Sequence, residues 1–337
     1  MPVVDVHAHY VSPALVDQIT QGAFAPHLQP VTANGGTCCQ FPTHTTTRPL
    51  FHKLMDLDER VRYMDEVGVD IQVLSTWADL YGYDLPEDAA TAYHTRVNEG
   101  LARAAEQHPG RFQFLASLPL PWGAAAARVL EDAVQRLGAL GSMIGTNVRD
   151  ANLDDERLQP VWAASTRLGV PVELHPIDVA GQDRLGRYYL TNLLGNPFDT
   201  NIAATSLVLG GVLDRHPDLR VLLVHGGGYF PYAVGRLDHG YAVRPETRTS
   251  QQPPSAYVRR FFYDTIVYQP QTLKALADLV GADRLLLGSD YPFDMEPPAV
   301  VEQVRATLGD RAQAILETNP SVALPFSGRL QATSGRA

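Results

Sequence analysis

Near the start of the chain, Asp5, His7 and His9 alternate with Val4, Val6 and Ala8. Successive side chains of an extended strand point to opposite faces, so the carboxylate and both imidazoles share one face and the apolar residues the other. Two histidines and an aspartate turned into a dry interior are costly without a partner, and a divalent cation is such a partner. Three further apolar runs each finish on a residue that can bind metal or carry a proton. They are Val172-Glu173-Leu174-His175, Leu222-Leu223-Val224-His225 and Leu286-Leu287-Gly288-Ser289-Asp290. A lone histidine closing a strand is commonly a hydrogen-bonded core residue, whereas four such ends meeting in one place make a metal centre. Asp5 and Glu173 share the inward parity of their strands. They are expected either to orient ligand imidazoles or to pair within the core for structure alone.

The elements that must position these ends alternate along the chain. Short β-branched runs at Val3–Ala8, Ile71–Ser75, Phe112–Leu118, Ser142–Val148, Pro171–His175, Arg220–His225, Phe261–Val267 and Arg284–Ser289 read as strands. Between them, helical patterns cover Leu57–Val67, Glu87–Gln107, Gly123–Leu140, Asp155–Leu168, Ile202–Arg215, Pro231–Val243 and Gln271–Val280, and a last one begins at Pro298. Eight strand–helix units predict an α/β fold, a (β/α)8 TIM barrel, with its chemistry at the C-terminal ends of the strands. One barrel domain is expected over 1–326, with cap insertions at about 12–55 and 176–200 after strands 1 and 5, and a frayed tail at 327–337.

Composition narrows the function classes. The 337 residues are 45% hydrophobic, enough for a full core, and carry a net charge of −10, which argues against a nucleic-acid or anionic-membrane surface. The only cysteines, Cys38 and Cys39, are adjacent, which excludes a disulfide framework and suits a reducing, cytoplasmic setting. The opening residues lack a basic and apolar leader, and no long apolar run is present. Lys53 and Lys274 are the only lysines among 27 basic residues.

The segments VDVHAHY, ELHP, VHGGGYFPYAVGRLDHGY and LLLGSDYPFD resemble the amidohydrolase superfamily, and within it the branch typified by aminocarboxymuconate-semialdehyde decarboxylase. The likeness runs from about Asp56 to Asp294 and is densest around Gly195–Pro245; the first cap is similar only loosely. It implies His7, His9, His175 and Asp290 as ligands of one divalent ion, with His225 as an acid/base group beside it. Three imidazoles and a carboxylate suit Zn2+ best, with Mn2+ or Fe2+ as softer choices. Binuclear relatives use a lysine on the fourth strand, where this chain has Thr146-Asn147-Val148, so the site is expected to be mononuclear.

The resemblance further implies that Arg48 and Arg236 hold substrate carboxylates, Arg236 from a neighbouring subunit and hence in a homodimer. The reaction it implies is non-oxidative decarboxylation of an unsaturated or aromatic carboxylic acid, a small molecule. The alternative on the same residues is hydrolysis of a lactone, ester or amide, with Asp290 and His225 handling protons. An open set of three histidines and one aspartate does not resemble the closed, thiolate-rich sites of structural zinc. Tyr189 and Asn192 stand where relatives carry tryptophans, and Asn147 where a histidine is common, so the pocket is expected to differ more than the metal site. Gly226, Gly227 and Gly228 allow close backbone approach or a tight turn. Asp264 and Thr265 are expected to line the pocket; His27 and His52, in the first cap, are candidate pocket contacts, while His44 and His239 read as surface residues.

Overall fold

The computed structural model describes residues 1–43, 46–149 and 151–326. His44 and the expected tail at 327–337 lie outside the described residues. After β1 (Val4–His9) comes an antiparallel hairpin of β2 (Gln29–Ala33) and β3 (Gly36–Gln40), then the remaining barrel strands. These are β4 (Ile71–Ser75), β5 (Phe112–Phe114) continued by β6 (Ala116–Ser117), β7 (Ser142–Gly145), β8 (Val172–His175), β9 (Val221–Leu223), β10 (Phe261–Asp264) and β11 (Leu285–Leu286). Neighbours around the barrel pair in parallel, β1-β4-β5 on one side and β6 through β11 in order on the other. Isolated parallel bridges, Asp5 to Leu287 and Ala8 to Tyr291, close the circle. The fold is the expected (β/α)8 barrel.

The expected strand Phe112–Leu118 is split at Leu115, whose N–H donates to Leu74 O on one side while the next residue, Ala116, donates to Gly141 O on the other. Ten helices relevant here are α1 (Pro13–Thr20), α2 (Leu57–Val67), α3 (Glu87–Gln107), α4 (Gly123–Asp132), α5 (Gln159–Leu168), α6 (Asn196–Leu209), α7 (Val212–Arg215), α8 (Phe230–Val243), α9 (Pro270–Val280) and α10 (Val300–Leu308). The helix expected over Ile202–Arg215 begins earlier, with Pro197 in its first turn, and breaks before Gly211, whose φ of 67° ends it. The segment 12–55 contains α1 and the hairpin, and 176–200 contains the first turns of α6.

Local sequence explains α2 well. The Asp56 carboxylate accepts the Glu59 N–H at 2.8 Å, and Gly68 terminates the helix at φ 81°. Its buried face is Leu57, Arg60 and Met64, at helical spacing. An arginine inside an apolar stripe needs partners, and it finds them next to the metal-capable residues of β1. The apolar members of β1, Val4 and Val6, join the core that also holds Met64, Leu74 and Leu101, while Asp5, His7 and His9 are buried as polar groups.

Candidate metal centre and acid–base site

The strand ends converge as expected. His7 Nδ1–H donates to Asp264 Oδ2 at 2.8 Å, His9 Nδ1–H to Thr76 O at 3.0 Å and His175 Nδ1–H to Pro176 O at 3.2 Å. With their protons placed there, the three neutral rings carry lone pairs at Nε2. Those of His7 and His9 stand 3.2 Å apart, and both face Asp290 Oδ1, at 3.4 and 3.1 Å. The His175 ring centroid is 4.7 Å from that of His9 and 5.4 Å from that of His7. Electron-pair donors crowded together without a proton between them repel, unless a cation takes the space they enclose. Asp290 Oδ1 is buried and makes no conventional hydrogen bond. This nitrogen-rich set with one carboxylate fits a first-row divalent ion.

Electrostatics agree with that fit. Burial pushes His7 below its ordinary pKa despite Asp264. Burial, followed by the neighbouring imidazoles, holds His175 well below its own. Burial would raise Asp290, but the His225 contact, with His9 and His7 close by, holds its carboxyl well below the usual range. Neutral imidazoles and an ionised carboxylate are the forms a metal requires.

His225 differs from the other three. Its Nε2 lies 3.5 Å from Asp290 Oδ2, the oxygen opposite the one that faces His7 and His9. Burial lowers its pKa, but the Asp290 hydrogen bond and the charges of Asp290 and Asp264 outweigh this and raise it. Among the described residues, the ligand atoms of His7, His175, His225 and Asp290 also fall within 4.8 Å of one another. His9 and His225 therefore both border the same space, on different oxygens of one carboxylate.

Asp264, at the end of β10, organises both sides of this site. Besides His7, it accepts the backbone N–H groups of His225 at 2.8 Å, Gly226 at 2.7 Å and Ile266 at 3.0 Å. Burial raises its carboxyl, and the His7 hydrogen bond with the other donors more than reverses that, leaving it lowered. The turn it pins is strained: His225 has φ 53°, and Gly226, Gly227 and Gly228 follow at 62°, 76° and 57°. A Cβ at Gly226 would meet the Val267 side chain at 2.4 Å, at Gly227 the Tyr263 ring at 2.5 Å, and at Gly228 the Pro197 carbonyl oxygen at 2.2 Å. The glycines thus serve close approach as well as the turn. Asp290 is likewise left-handed, at φ 59°.

Of the two readings open for Asp5 and Glu173, the structural one fits Asp5, and neither carboxyl orients an imidazole. Asp5 touches no imidazole: it accepts Gln72 Nε2 at 2.7 Å, Ser289 Oγ at 2.6 Å and the Ser289 and His7 N–H groups at 3.0 and 3.2 Å. Gln72, its register partner on β4, and Ser289, just beyond β11, claim both its oxygens first. Glu173 is buried with neither oxygen hydrogen-bonded, and burial followed by the nearby carboxylates pushes its pKa well above the ordinary value. Arg60, which the buried face of α2 could have flagged, donates to the His9 carbonyl at 2.6 Å and to Gln72 Oε1 at 2.8 Å. A buried chain therefore links Arg60, Gln72, Asp5 and Ser289 beneath the ligands.

From His175 a cleft of about 1670 Å³ opens across the barrel mouth. Arg48, Tyr189 and Asn192 line it, whereas His27 and His52 do not. His52 sits in a surface cluster, between the carboxylates of Asp56 at 3.4 Å and Glu59 at 3.3 Å. Arg48 stands at the rim, 5.0 Å above the Trp77 ring and 5.4 Å from Phe293, whose own ring is 5.3 Å from that of His9. Arg236 is exposed on α8 and lines no part of the cleft of its own chain. Helix α8 turns it outward, beside the partly exposed Tyr229 and Tyr232. No helix of the described residues is long and apolar enough to cross a membrane.

Known proteins carry the same framework. A model of the amidohydrolase family matches residues 4–326. The 2-amino-3-carboxymuconate-6-semialdehyde decarboxylase of Dictyostelium discoideum is 35% identical, over 81% of this chain and 77% of its own. The gamma-resorcylate decarboxylase of Rhodococcus jostii (strain RHA1) is 31% identical, over 72% of this chain and 79% of its own. The crystal structure of a dihydroxybenzoic acid decarboxylase from Polaromonas sp. JS666, with bound manganese and the inhibitor 2-nitroresorcinol, superimposes with a TM-score of 0.81 at 25% identity, covering 98% of this chain and 99% of that one. With the barrel, the converging strand ends and these matches in agreement, the chain belongs to the amidohydrolase family.

Proposed function

We propose that this protein is a metal-dependent decarboxylase that removes CO2, without oxidation, from an unsaturated or aromatic carboxylic acid. The observation that carries this reading is the division of labour at Asp290: Oδ1 faces the Nε2 atoms of His7 and His9, and Oδ2 faces His225. His7, His9, His175 and Asp290 would hold one divalent ion, Zn2+ by donor set, with Mn2+ and Fe2+ as the other candidates. When bound, the ion supplies Lewis-acid stabilisation of negative charge on the substrate's oxygens.

The chain's own groups supply the rest. His225, whose Nε2 faces Asp290 Oδ2 at 3.5 Å, carries the proton and gives it to the carbon that bears the carboxylate. The C–C bond then breaks, its electron pair stays with the carbon skeleton, and CO2 leaves; one proton is consumed and no oxidant is needed. Asp290 Oδ2 stabilises the protonated imidazole. Arg48 holds the substrate's carboxylate at the rim. Arg236 points away from its own cleft, so its part in binding requires a homodimer in which it enters the cleft of the second copy; exposed Tyr229 and Tyr232 give that face apolar area. The buried, free Cys38 and Cys39 suit a cytoplasmic setting. The names of the relatives support decarboxylation over hydrolysis.

The test loads the metal-free protein separately with Zn2+, Mn2+ and Fe2+. It then measures CO2 release from 2-amino-3-carboxymuconate-6-semialdehyde, 2,6-dihydroxybenzoate and 6-methylsalicylate. Stoichiometric CO2 from at least one acid is expected. No CO2 from any, together with 18O from water entering the products of lactones or esters, overturns the reading.

A further inference from the structure

The turn that follows β4 reaches both halves of the site within four residues. Its Thr76 carbonyl takes the His9 Nδ1–H at 3.0 Å, its Trp77 ring lies under Arg48, and its Asp79 carboxylate grips the Arg48 guanidinium. The grip is along one edge: Nε donates to Asp79 Oδ2 at 3.1 Å and Nη2 to Oδ1 at 2.8 Å, while the Arg48 backbone N–H also donates to Oδ2 at 2.9 Å. Three bonds to one carboxylate fix both the backbone and the plane of the side chain. An arginine side chain 54% exposed would otherwise sample many rotamers.

A guanidinium has five N–H donors. The Asp79 edge takes Nε–H and one of the Nη2 hydrogens. The two Nη1 hydrogens and the second Nη2 hydrogen have no acceptor among the described residues. One Nη1 hydrogen and the second Nη2 hydrogen form the remaining, end-on edge, which matches the spacing of a second carboxylate, while the other Nη1 hydrogen points back alongside Cδ. We propose that Asp79 is a positioning residue for the carboxylate subsite: it occupies the Nε–Nη2 edge of Arg48 and so presents the Nη1–Nη2 edge to the substrate. This rests on the reading of Arg48 as the carboxylate holder.

The chemistry carries a cost that gives the test its sign. Asp79 offsets much of the charge of Arg48, so it weakens the general pull on an anion while fixing the angle at which the acid docks. Removing its charge frees Arg48 to attract the substrate but lets it swing, and a displacement of about 1 Å in a reacting group costs on the order of 100-fold in rate. The expected signature is a loss in kcat without a matching rise in KM.

The experiment uses the metal-loaded enzyme with whichever acid of the panel releases CO2, and follows 2-nitroresorcinol binding through quenching of tryptophan fluorescence. Asp79→Asn is expected to lose kcat by about tenfold or more with KM changed less than about threefold. Asp79→Glu, which keeps the ion pair, is expected to retain kcat within about threefold. Arg48→Lys is expected to raise KM about tenfold and to weaken 2-nitroresorcinol binding, the nitro group standing in for the carboxylate. Wild-type kcat in Asp79→Asn, with Arg48→Lys still impaired, overturns the positioning role while leaving Arg48 its place. Arg48→Lys unchanged in KM and in probe binding overturns the carboxylate reading of Arg48, and the positioning role with it. An equal loss in both Asp79 variants also overturns the proposal, because charge and orientation would then not be what the position supplies.

Discussion

His7 and Asp264 are joined through Nδ1–H and Oδ2 at 2.8 Å, fully buried, and the same oxygen receives the backbone N–H of His225. One carboxylate therefore sets the tautomer of the imidazole proposed as a ligand and the position of the residue proposed as the proton carrier. Replacing it with Asn leaves the shape but removes the charge. Asp264→Asn is expected to weaken metal binding about 10- to 100-fold, measured by competition with a chromophoric chelator. Asp5→Asn, at a carboxylate that contacts no imidazole, is expected to stay within about threefold. Equal losses in the two variants would contradict the distinct roles described for them.

His225 is the proton carrier in the proposed reaction, not a ligand. His225→Gln is expected to reduce kcat about 100- to 10,000-fold while metal content per chain, read by elemental analysis, stays at one. Loss of the ion along with the activity would show that His225 completes the coordination and that His9 stands outside it.

The glycine turn after β9 gives a stability test. At Gly228, with φ 57° and ψ −125°, an added Cβ would lie 2.2 Å from Pro197 O, so Gly228→Ala is expected to cost at least about 2 kcal/mol in chemical denaturation. Gly240, inside α8 with open space where a Cβ would go, is the contrast. Gly240→Ala is expected to be neutral or stabilising by up to about 1 kcal/mol.

His94 makes stability depend on acid. It is fully buried on α3, with Nδ1 2.9 Å from Ser117 Oγ, and burial lowers its pKa from 6.5 to about 3. The unfolded chain takes up this proton near 6.5 and the folded one does so only near 3. The contribution of neutral His94 is therefore complete above pH 6.5 and is lost progressively as pH falls toward 3. At about 1.4 kcal/mol per pKa unit, the loss is of the order of a few kcal/mol. The melting temperature of the metal-free protein is expected to fall across this window, and His94→Gln to flatten the fall. Identical profiles would place the acid sensitivity elsewhere.

The sequence was legible where chemistry and periodicity coincide. Eight alternating strand–helix units pointed to the barrel, and the two-residue alternation of Asp5, His7 and His9 with the apolar runs ending at His175, His225 and Asp290 pointed to the residues at its mouth, because a strand allows few places for a side chain to go. What alternation cannot give is the partner. Asp5 faces inward as parity requires, yet Gln72 on β4 and Ser289, just beyond β11, reach it before any imidazole. Arg48 and Asp79 lie 31 residues apart on two loops, where no periodicity constrains the chain. Arg60 was readable in principle as a cation between Leu57 and Met64 on a buried helical face. The outward direction of Arg236 follows from how α8 packs, which its local sequence does not fix.

The barrel meets itself where β1 faces β11 through isolated bridges instead of a full ladder, with the polar chain from Arg60 to Ser289 beneath the join. His7 and His9 stand on one lip of that join and Asp290 on the other. Whatever draws these three side chains together also ties the two lips of the join, so an ion bound there would add to the bridges that hold the cylinder closed. By mass action, the protein then resists unfolding more strongly as its ion becomes more abundant.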